Sequence, residues 1–156
     1  MTDQKIDPAV PYLPSVGRLL GFASRATTAL SEKHLAPHGL TLQQWIIMTA
    51  LWRRDGLTVS ELAAYYRVSD PTASSLVDRM EAKGLVERRR IETDRRKVTV
   101  HLTDFGWTLA PLISFYEPIN EVLLTGFSDQ ERRTFAAMLE RVTSNAEAAI
   151  VDNSDP

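Results

Sequence analysis

Two short helices separated by a tight turn limit the choice of fold for this chain more than any other feature. The run Thr58-Val-Ser-Glu61 has a hydroxyl at the cap position and a carboxylate three residues on, the capping-box pattern that opens a helix. This helix is predicted to end near Arg67. Ser69 then offers a second cap, with Pro71 in the first turn, and Gly84 is the expected C-terminal stop. Two short helices joined by a turn of about three residues form a helix-turn-helix.

A change of period after the second of these helices indicates β-structure. Val98, Val100 and Leu102 alternate with polar side chains, as in a strand that has one buried face. We therefore expect a two-stranded hairpin with a charged tip over roughly residues 91–96. A helix-turn-helix followed by such a hairpin is the winged helix-turn-helix plan. Its second helix is shaped to enter the major groove of DNA, and its hairpin reaches the backbone or the minor groove.

Basic residues are concentrated in this hairpin, although the chain as a whole is slightly acidic. The formal net charge is -2 over 156 residues. Residues 88–97 carry six basic and two acidic side chains, a local excess of four positive charges (six minus two). Any interaction with nucleic acid must therefore depend on this local patch. The alternative interpretation is a charged hairpin that is merely solvated, as most runs of charge are.

Four further helices are predicted from apolar residues at helical spacing. Their approximate positions are 16–35, 41–54 after a capping box at Thr41–Gln44, 103–123 with kinks at Pro111 and Pro118, and 128–150 after a capping box at Ser128–Glu131. The predicted fold class is mainly α with a small two-stranded β-wing. A length of 156 residues suits one domain.

The helices outside the winged helix-turn-helix carry more apolar surface than that lobe could cover, which predicts a homodimer. Within a single domain over 1–156, the expected organisation is a DNA-binding lobe at 41–102. Dimerisation helices at 15–38 and 103–150 flank this lobe.

Several classes of protein are disfavoured by the sequence. The chain has no cysteine, which excludes disulfides, thiol nucleophiles and thiolate zinc sites. It also has no Gly-rich phosphate loop, no G-x-S-x-G elbow and no H-E-x-x-H motif, so we expect neither an enzyme nor a cofactor. His34 and His38 have metal-ligand spacing, but Pro37 and Gly39 make a shared helix face unfavourable, and we expect no metal. With neither a secretory signal nor a membrane span, a cytoplasmic location is expected.

Several motifs resemble the MarR family of bacterial winged-helix regulators, over roughly residues 15–148. The motifs are LVDRMEAKGLVER (76–88), DRR (94–96), VTVHLTDFG (98–106), GLTLQQW (39–45) and TVSELA (58–63). The resemblance implies an obligate homodimer, clamped by its first and last helices, that binds pseudo-palindromic operators. It also implies a transcriptional regulator, most often a repressor, that loses affinity for double-stranded DNA when a small, commonly phenolic, ligand binds.

Six residues of the wing are predicted to contact DNA: Arg88, Arg90, Asp94, Arg95, Arg96 and Lys97. In the family pattern, Asp94 and Arg96 match a wing-tip pair in which the carboxylate orients an arginine that enters the minor groove. A narrow minor groove concentrates negative potential and attracts a guanidinium. Arg95 is the expected phosphate partner beside this pair.

Six residues of the second helix are predicted to contact base edges or phosphates: Ser69, Asp70, Thr72, Ser74, Ser75 and Arg79. Relatives frequently carry a basic residue in place of Asp70 and an arginine in place of Ser75. The departure either weakens phosphate contact or lets Asp70 accept a hydrogen bond from a cytosine amino group. Structural roles remain open for Ser69 as a cap, for Asp70 at the positive helix end, and for Arg79 as a partner of Asp78 or Glu81.

A ligand cleft is implied by the resemblance, with Tyr12, Trp45, Met48 and Trp107 as candidate residues. Packing in the core or the dimer is the alternative role of the aromatic residues. His101 is expected to be solvated on the outer side of the wing. The competing function is a winged-helix module that binds another protein without base-specific DNA contact. Salt dependence and competition with nonspecific DNA would separate the two functions.

Overall fold

Capping side chains set the boundaries of the first two helices in the computed structural model, which describes residues 15–91 and 94–152, and side chains over 15–90 and 98–150. Helix α1 (Val16–Leu35) begins where the Ser15 hydroxyl accepts a hydrogen bond from the Arg18 backbone N–H at 3.3 Å. A 3₁₀ turn over Ala36–His38 follows. Helix α2 (Leu42–Arg53) begins with the complete capping box of Thr41 and Gln44. Both helices confirm the predicted positions.

The predicted helix-turn-helix is present as α3 (Val59–Tyr66) and α4 (Asp70–Ala82). The capping box of Thr58 and Glu61 opens α3, and the Ser69 side chain accepts from the Thr72 backbone N–H at the start of α4. Arg67 ends α3 in the left-handed conformation, with φ 56°, which turns the chain sharply between the two helices.

The wing contains one more strand than predicted. Strands β2 (Val86–Ile91) and β3 (Asp94–Leu102) form the hairpin, and β1 (Leu57–Thr58) pairs with the other edge of β3. The strand order is β1-β3-β2, and both pairings are antiparallel. Two residues are too few to produce a visible period, so β1 escaped prediction. The hairpin tip is also narrower than the predicted residues 91–96, because both strands extend into that range.

The core lies between α2, the helix-turn-helix and the inner face of the sheet. Its largest fully buried side chains are Leu35, Ile47, Met48, Leu51, Leu62, Val77, Met80, Val86 and Val100. Two tryptophans of α2 attach the segment after β3 to this core. The Trp45 indole N–H donates to the Leu112 carbonyl at 2.7 Å, and the Trp52 indole N–H donates to the Gly106 carbonyl at 3.1 Å.

The predicted helix over 103–123 is interrupted and not simply kinked. Helix α5 (Asp104–Thr108) is capped by Thr103 as expected, but a 3₁₀ segment over Ala110–Ser114 replaces its continuation. Pro111 lies in that segment, where it can neither donate a backbone hydrogen bond nor leave the preceding residue free to be helical. Helix α6 (Tyr116–Leu123) then begins separately, with Pro118 in its first turn.

The chain divides into two compact units, one up to Ser114 and one from Phe115 on. The second unit contains α6 and the long helix α7 (Asp129–Asp152). The predicted capping box at its start is confirmed. The Ser128 backbone N–H donates to the Glu131 carboxylate at 2.8 Å, and the Glu131 N–H donates to the Ser128 hydroxyl at 3.3 Å. Within the described residues, no helix has the length and apolar character needed to cross a membrane.

Candidate nucleic-acid interface

Helix α4 has one apolar face and one polar face. The buried residues, which recur at spacings of three and four and so share one side of the helix, are Ala73, Leu76, Val77 and Met80. Thr72, Ser75 and Arg79 are exposed on the opposite side. The Arg79 guanidinium donates to the Ser75 hydroxyl at 3.1 Å, so its intrachain partner is neither Asp78 nor Glu81. This polar face presents hydroxyl groups and one cation, which suit contacts to base edges and phosphates.

The residues at the start of α4 have structural partners. Ser69 caps the helix, and its hydroxyl lies 2.8 Å from that of Thr72. The Asp70 carboxylate accepts a hydrogen bond from the Ser60 hydroxyl, which joins the first turns of α3 and α4. Ser60 had not been singled out from the sequence. Asp70 therefore has a structural role that does not depend on DNA.

Arg88, which was predicted to contact DNA, has several partners within the protein. Its side chain is only 24% exposed and lies between two carboxylates of α4, Asp78 at 2.6 Å and Glu81 at 2.9 Å. The same guanidinium donates to the carbonyl and the hydroxyl of Ser74 at 3.4 Å, and the Arg88 backbone N–H donates to Glu81 at 3.0 Å. These contacts make Arg88 a brace between β2 and α4.

The positively charged form of Arg88 is stabilised by its two carboxylate partners. Burial opposes the charged form, but the hydrogen bonds and charges of Asp78 and Glu81 outweigh this effect and raise the pKa of Arg88. The two carboxylates stand three residues apart on α4, and this spacing was the available sequence signal for the brace.

The remaining wing residues fall into two groups. Arg89 forms an ion pair with Glu87 on its own strand, and the Arg90 side chain is exposed. The backbone of Asp94, Arg95, Arg96 and Lys97 lies in β3, but their side chains fall outside the described part of the chain. Their contacts with DNA stay predictions.

His101 was expected to be solvated, and this expectation was wrong. Its Nδ1 atom lies 2.8 Å from the Asp55 carboxylate, and its side chain is only 22% exposed. Asp55 was not identified from the sequence, because it lies 46 residues away in the loop between α2 and β1. The pair connects that loop to the end of β3.

The residues predicted to line a ligand pocket differ in their exposure. Trp45 is partly buried, Met48 is completely buried and Trp107 is 44% exposed, while Tyr12 lies outside the described residues. A pocket of about 430 Å³ does open beside α2, β1 and α3, and none of these residues lines it. Its lining residues are Ala50, Arg53, Arg54, Leu57, Glu61, Ala64 and Tyr65. Over the described residues, no group of three or more His, Asp or Glu side chains could hold a metal ion.

Comparison with known proteins points to one family. The family model described as MarR family matches residues 38–97. The HTH-type transcriptional regulator YybA of Bacillus subtilis (strain 168) is 27% identical over 131 residues, which cover 83% of this chain and 87% of YybA. The HTH-type transcriptional regulator TtmR of Methylorubrum extorquens (strain PA1) is 34% identical over 110 residues. That match covers 70% of this chain and 54% of TtmR, so the chain spans about half the length of this relative.

A solved structure gives the same indication. The structure of BpsR from Bordetella bronchiseptica matches with a TM-score of 0.77 and 25% sequence identity, over 85% of this chain and 97% of BpsR. The DNA binding of BpsR is regulated by 6-hydroxynicotinic acid. YybA and TtmR are transcriptional regulators and not enzymes, which confirms the expected absence of an enzymatic function. The predicted fold class, mainly helical with a small antiparallel sheet, is confirmed as well.

Proposed function

Because the chain belongs to the MarR family of winged-helix transcriptional regulators, we propose that it binds double-stranded operator DNA through α4 and the wing. The polar face of α4 carries this proposal. Thr72, Ser75 and Arg79 are exposed there on a helix that Arg88 braces against β2. Such a brace holds the recognition helix and the wing in a fixed relation, which a rigid DNA duplex requires of a protein that contacts two grooves.

The proposed assembly is a homodimer on a pseudo-palindromic operator. Exposed apolar side chains support it on both units of the chain. Helix α1 exposes Val16, Leu19 and Phe22, and helix α7 exposes Phe135, Met138, Leu139, Val142 and Ile150. Apolar rows of this kind mark surfaces that a partner covers. In a two-fold symmetric dimer, the two α4 helices read half-sites one helical turn apart, roughly 34 Å.

The proposed regulation is repression that a small aromatic ligand relieves. BpsR, whose DNA binding is regulated by 6-hydroxynicotinic acid, supports this inference by its similarity. A ligand acts in this way when it binds the DNA-incompatible arrangement of the protein more tightly than the DNA-competent one. Trp45, Met48 and Trp107 stay the candidate contacts for it. Since Met48 is completely buried, a ligand that reaches it must displace neighbouring side chains.

Selection of bound fragments from random duplex DNA, at two salt concentrations, tests the proposal. A pseudo-palindromic motif with half-site centres about 10 base pairs apart is the expected result. Ser75→Ala, which alters the polar face of α4, should reduce the enrichment of this motif. The matched control Ser144→Ala on α7 should leave the enrichment unchanged. A chain that enriches no motif, at either salt concentration, is not a base-reading regulator. That result would favour the protein-binding winged-helix module.

A further inference from the structure

The loop between α2 and β1 holds the end of the wing strand β3 through one carboxylate. Oδ1 of Asp55 accepts a hydrogen bond from the Leu102 backbone N–H at 2.8 Å, and Oδ2 lies 2.8 Å from Nδ1 of His101. The neighbouring Gly56 has φ 77°, and a Cβ atom there would lie 2.8 Å from Cε1 of His101. The loop therefore contacts the imidazole so closely that only glycine fits beside it.

The second ring nitrogen of His101 extends the contacts to β2. Nε2 lies 3.0 Å from the Thr99 hydroxyl, and that hydroxyl lies 3.3 Å from the Arg89 carbonyl oxygen. Thr99 is 8% exposed, so water cannot easily replace these partners. A continuous chain of contacts thus runs from Asp55 through His101 and Thr99 to the backbone of β2. We call residues 99–102 of β3, where these contacts meet, the wing root.

The protonation state of His101 decides whether every acceptor in this series of contacts receives a hydrogen bond. In the neutral imidazole, a proton on Nδ1 serves Asp55, and Nε2 can only accept. Nε2 and the Arg89 carbonyl then compete for the single hydroxyl proton of Thr99. In the cationic imidazole, Nε2–H donates to the Thr99 oxygen, and the Thr99 hydroxyl is free to donate to Arg89. All three contacts are then satisfied, and the ring carries a charge beside Asp55.

Other charged groups surround the wing root. Glu87 stands opposite His101 in the strand register, and Arg89 stands opposite Thr99. These two residues pair with each other on β2, and Arg54 pairs with Glu61. The further charged residues at the nearby ends of α2 and α5 are Arg53 and Asp104. The two charged neighbours on β2 thus neutralise each other, and Asp55 is the carboxylate in direct contact with the imidazole.

We propose that Asp55, His101 and Thr99 are positioning residues that fix the wing for DNA binding, and that DNA affinity rises when His101 gains a proton. This inference rests on the proposed function, since it assigns a pH response to the same DNA interface. His101 acts at a distance, because five residues of strand, about 16 Å, separate it from Arg96. Its effect must therefore pass through the orientation of β3.

The affinity for the selected operator should be measured at about pH 6 and about pH 8, the range in which histidines change charge. At constant salt, the unmodified protein should bind about threefold more tightly at the lower pH, the effect of one additional hydrogen bond. His101→Gln should abolish this difference. His34→Gln is the matched control, since His34 is one of only three histidines in the chain, and it should preserve the difference.

Thr99→Val separates positioning from simple attraction of the cation to DNA. This variant keeps the imidazole and a β-branched side chain but has no hydroxyl to connect the imidazole to the Arg89 carbonyl. The proposal requires that it also loses the pH response. If Thr99→Val retains the full response, the imidazolium acts only as a charge. Equal pH responses of the unmodified protein and His101→Gln would overturn the proposal as well.

A measurement without DNA keeps this inference distinct from the proposed function. Nitrogen NMR of the imidazole reports the protonation of each ring nitrogen, and the amide signals of Arg89, Thr99 and Leu102 report on the wing root. These amide signals should shift together as His101 gains or loses its proton. In Thr99→Val, the Arg89 amide signal should no longer follow that change. Amide signals that are unchanged while His101 titrates would overturn the positioning role, whether or not an operator is found.

Discussion

The guanidinium of Arg88 lies 2.6 Å from the carboxylate of Asp78, and this contact joins strand β2 of the wing to helix α4. Glu81 receives the same guanidinium one helical turn away. Two carboxylates around one partly buried arginine mean that one basic residue of the wing is neutralised within the fold. The arginine thereby fixes the position of β2 relative to α4 and contributes little to the positive charge of the proposed DNA interface.

Replacing Arg88 should therefore destabilise the fold. Arg88→Gln leaves two carboxylates close together without their cation and should lower the free energy of unfolding by about 1–3 kcal/mol. The control is Arg89→Gln, since Arg89 is 58% exposed and pairs only with Glu87 among the described ion pairs. That change should cost less than about 1 kcal/mol. Urea unfolding followed by circular dichroism measures both values, and equal losses would contradict the role of Arg88 as a brace.

The wing tip should act on DNA and not on the fold. Arg96→Ala is expected to weaken operator binding by about 1–3 kcal/mol, because a guanidinium in a narrow minor groove is lost. The unfolding temperature should be unchanged. Arg133→Ala on α7 removes the same charge elsewhere and serves as the control for fluorescence anisotropy titrations. Equal losses of affinity in the two variants would show that net charge alone is responsible.

Asp70 offers a test of two opposed effects. Asp70→Ala removes the acceptor for the Ser60 hydroxyl and a negative charge from the first turn of α4. The free energy of unfolding should fall by about 0.5–1.5 kcal/mol, while binding to nonspecific DNA becomes tighter because repulsion of phosphates is relieved. Repeating the operator selection with this variant shows whether Asp70 also reads a base. Relaxed preference at a single C·G pair would identify a direct contact to cytosine.

The capping box at the start of α7 should make the stability of the second unit depend on pH. Hydrogen bonds from the hydroxyl and the backbone N–H of Ser128 lower the pKa of Glu131 below its ordinary value of 4.5. The ionised carboxylate thus stabilises the folded helix above that value, and the stabilisation is lost as the pH falls through the lowered pKa. Glu131→Gln should reduce the drop in unfolding temperature between about pH 6 and about pH 3.5. Glu140→Gln on the same helix is the control, and an equal reduction in both variants would contradict the assignment.

Gly106 should tolerate no side chain. A Cβ atom at this position would lie 2.3 Å from the backbone oxygen of Leu85, which cannot move without distorting the wing. Gly106→Ala should destabilise the fold by more than about 2 kcal/mol. Gly17→Ala is the matched control, since a Cβ atom there meets nothing within 4 Å. Thermal unfolding distinguishes the two variants, and a stable Gly106→Ala protein would exclude the close approach.

Local patterns in the sequence were sufficient to predict where several helices of both units begin. The pairs Thr41–Gln44, Thr58–Glu61 and Ser128–Glu131 are each three residues apart, and each forms the expected reciprocal hydrogen bonds at a helix start. A capping box is made by neighbouring residues, so its signal survives without knowledge of the fold. The alternation of Val98, Val100 and Leu102 revealed β3 for the same reason.

The contacts that escaped prediction join distant parts of the chain. Strand β1 has only two residues, and its partner Val100 follows Leu57 by 43 positions (100 minus 57). His101 pairs with Asp55 across 46 positions. A sequence shows which groups need partners, but it does not show which distant segment supplies them. The ion pairs of Arg88 escaped prediction because, within a basic run, the sequence does not distinguish an exposed arginine from a partly buried, ion-paired one.

The indole contacts of Trp45 and Trp52 give the protein an intrinsic optical reporter. Both rings belong to α2, and both donate to carbonyl groups of the segment that follows the wing. Their fluorescence emission therefore depends on whether this segment stays attached to the lobe, while the more exposed Trp107 responds to solvent. A dissolved quencher should affect the Trp107 emission first and that of Trp52 last. Detachment of the segment during ligand binding or unfolding can thus be followed by light emission alone, without any attached dye.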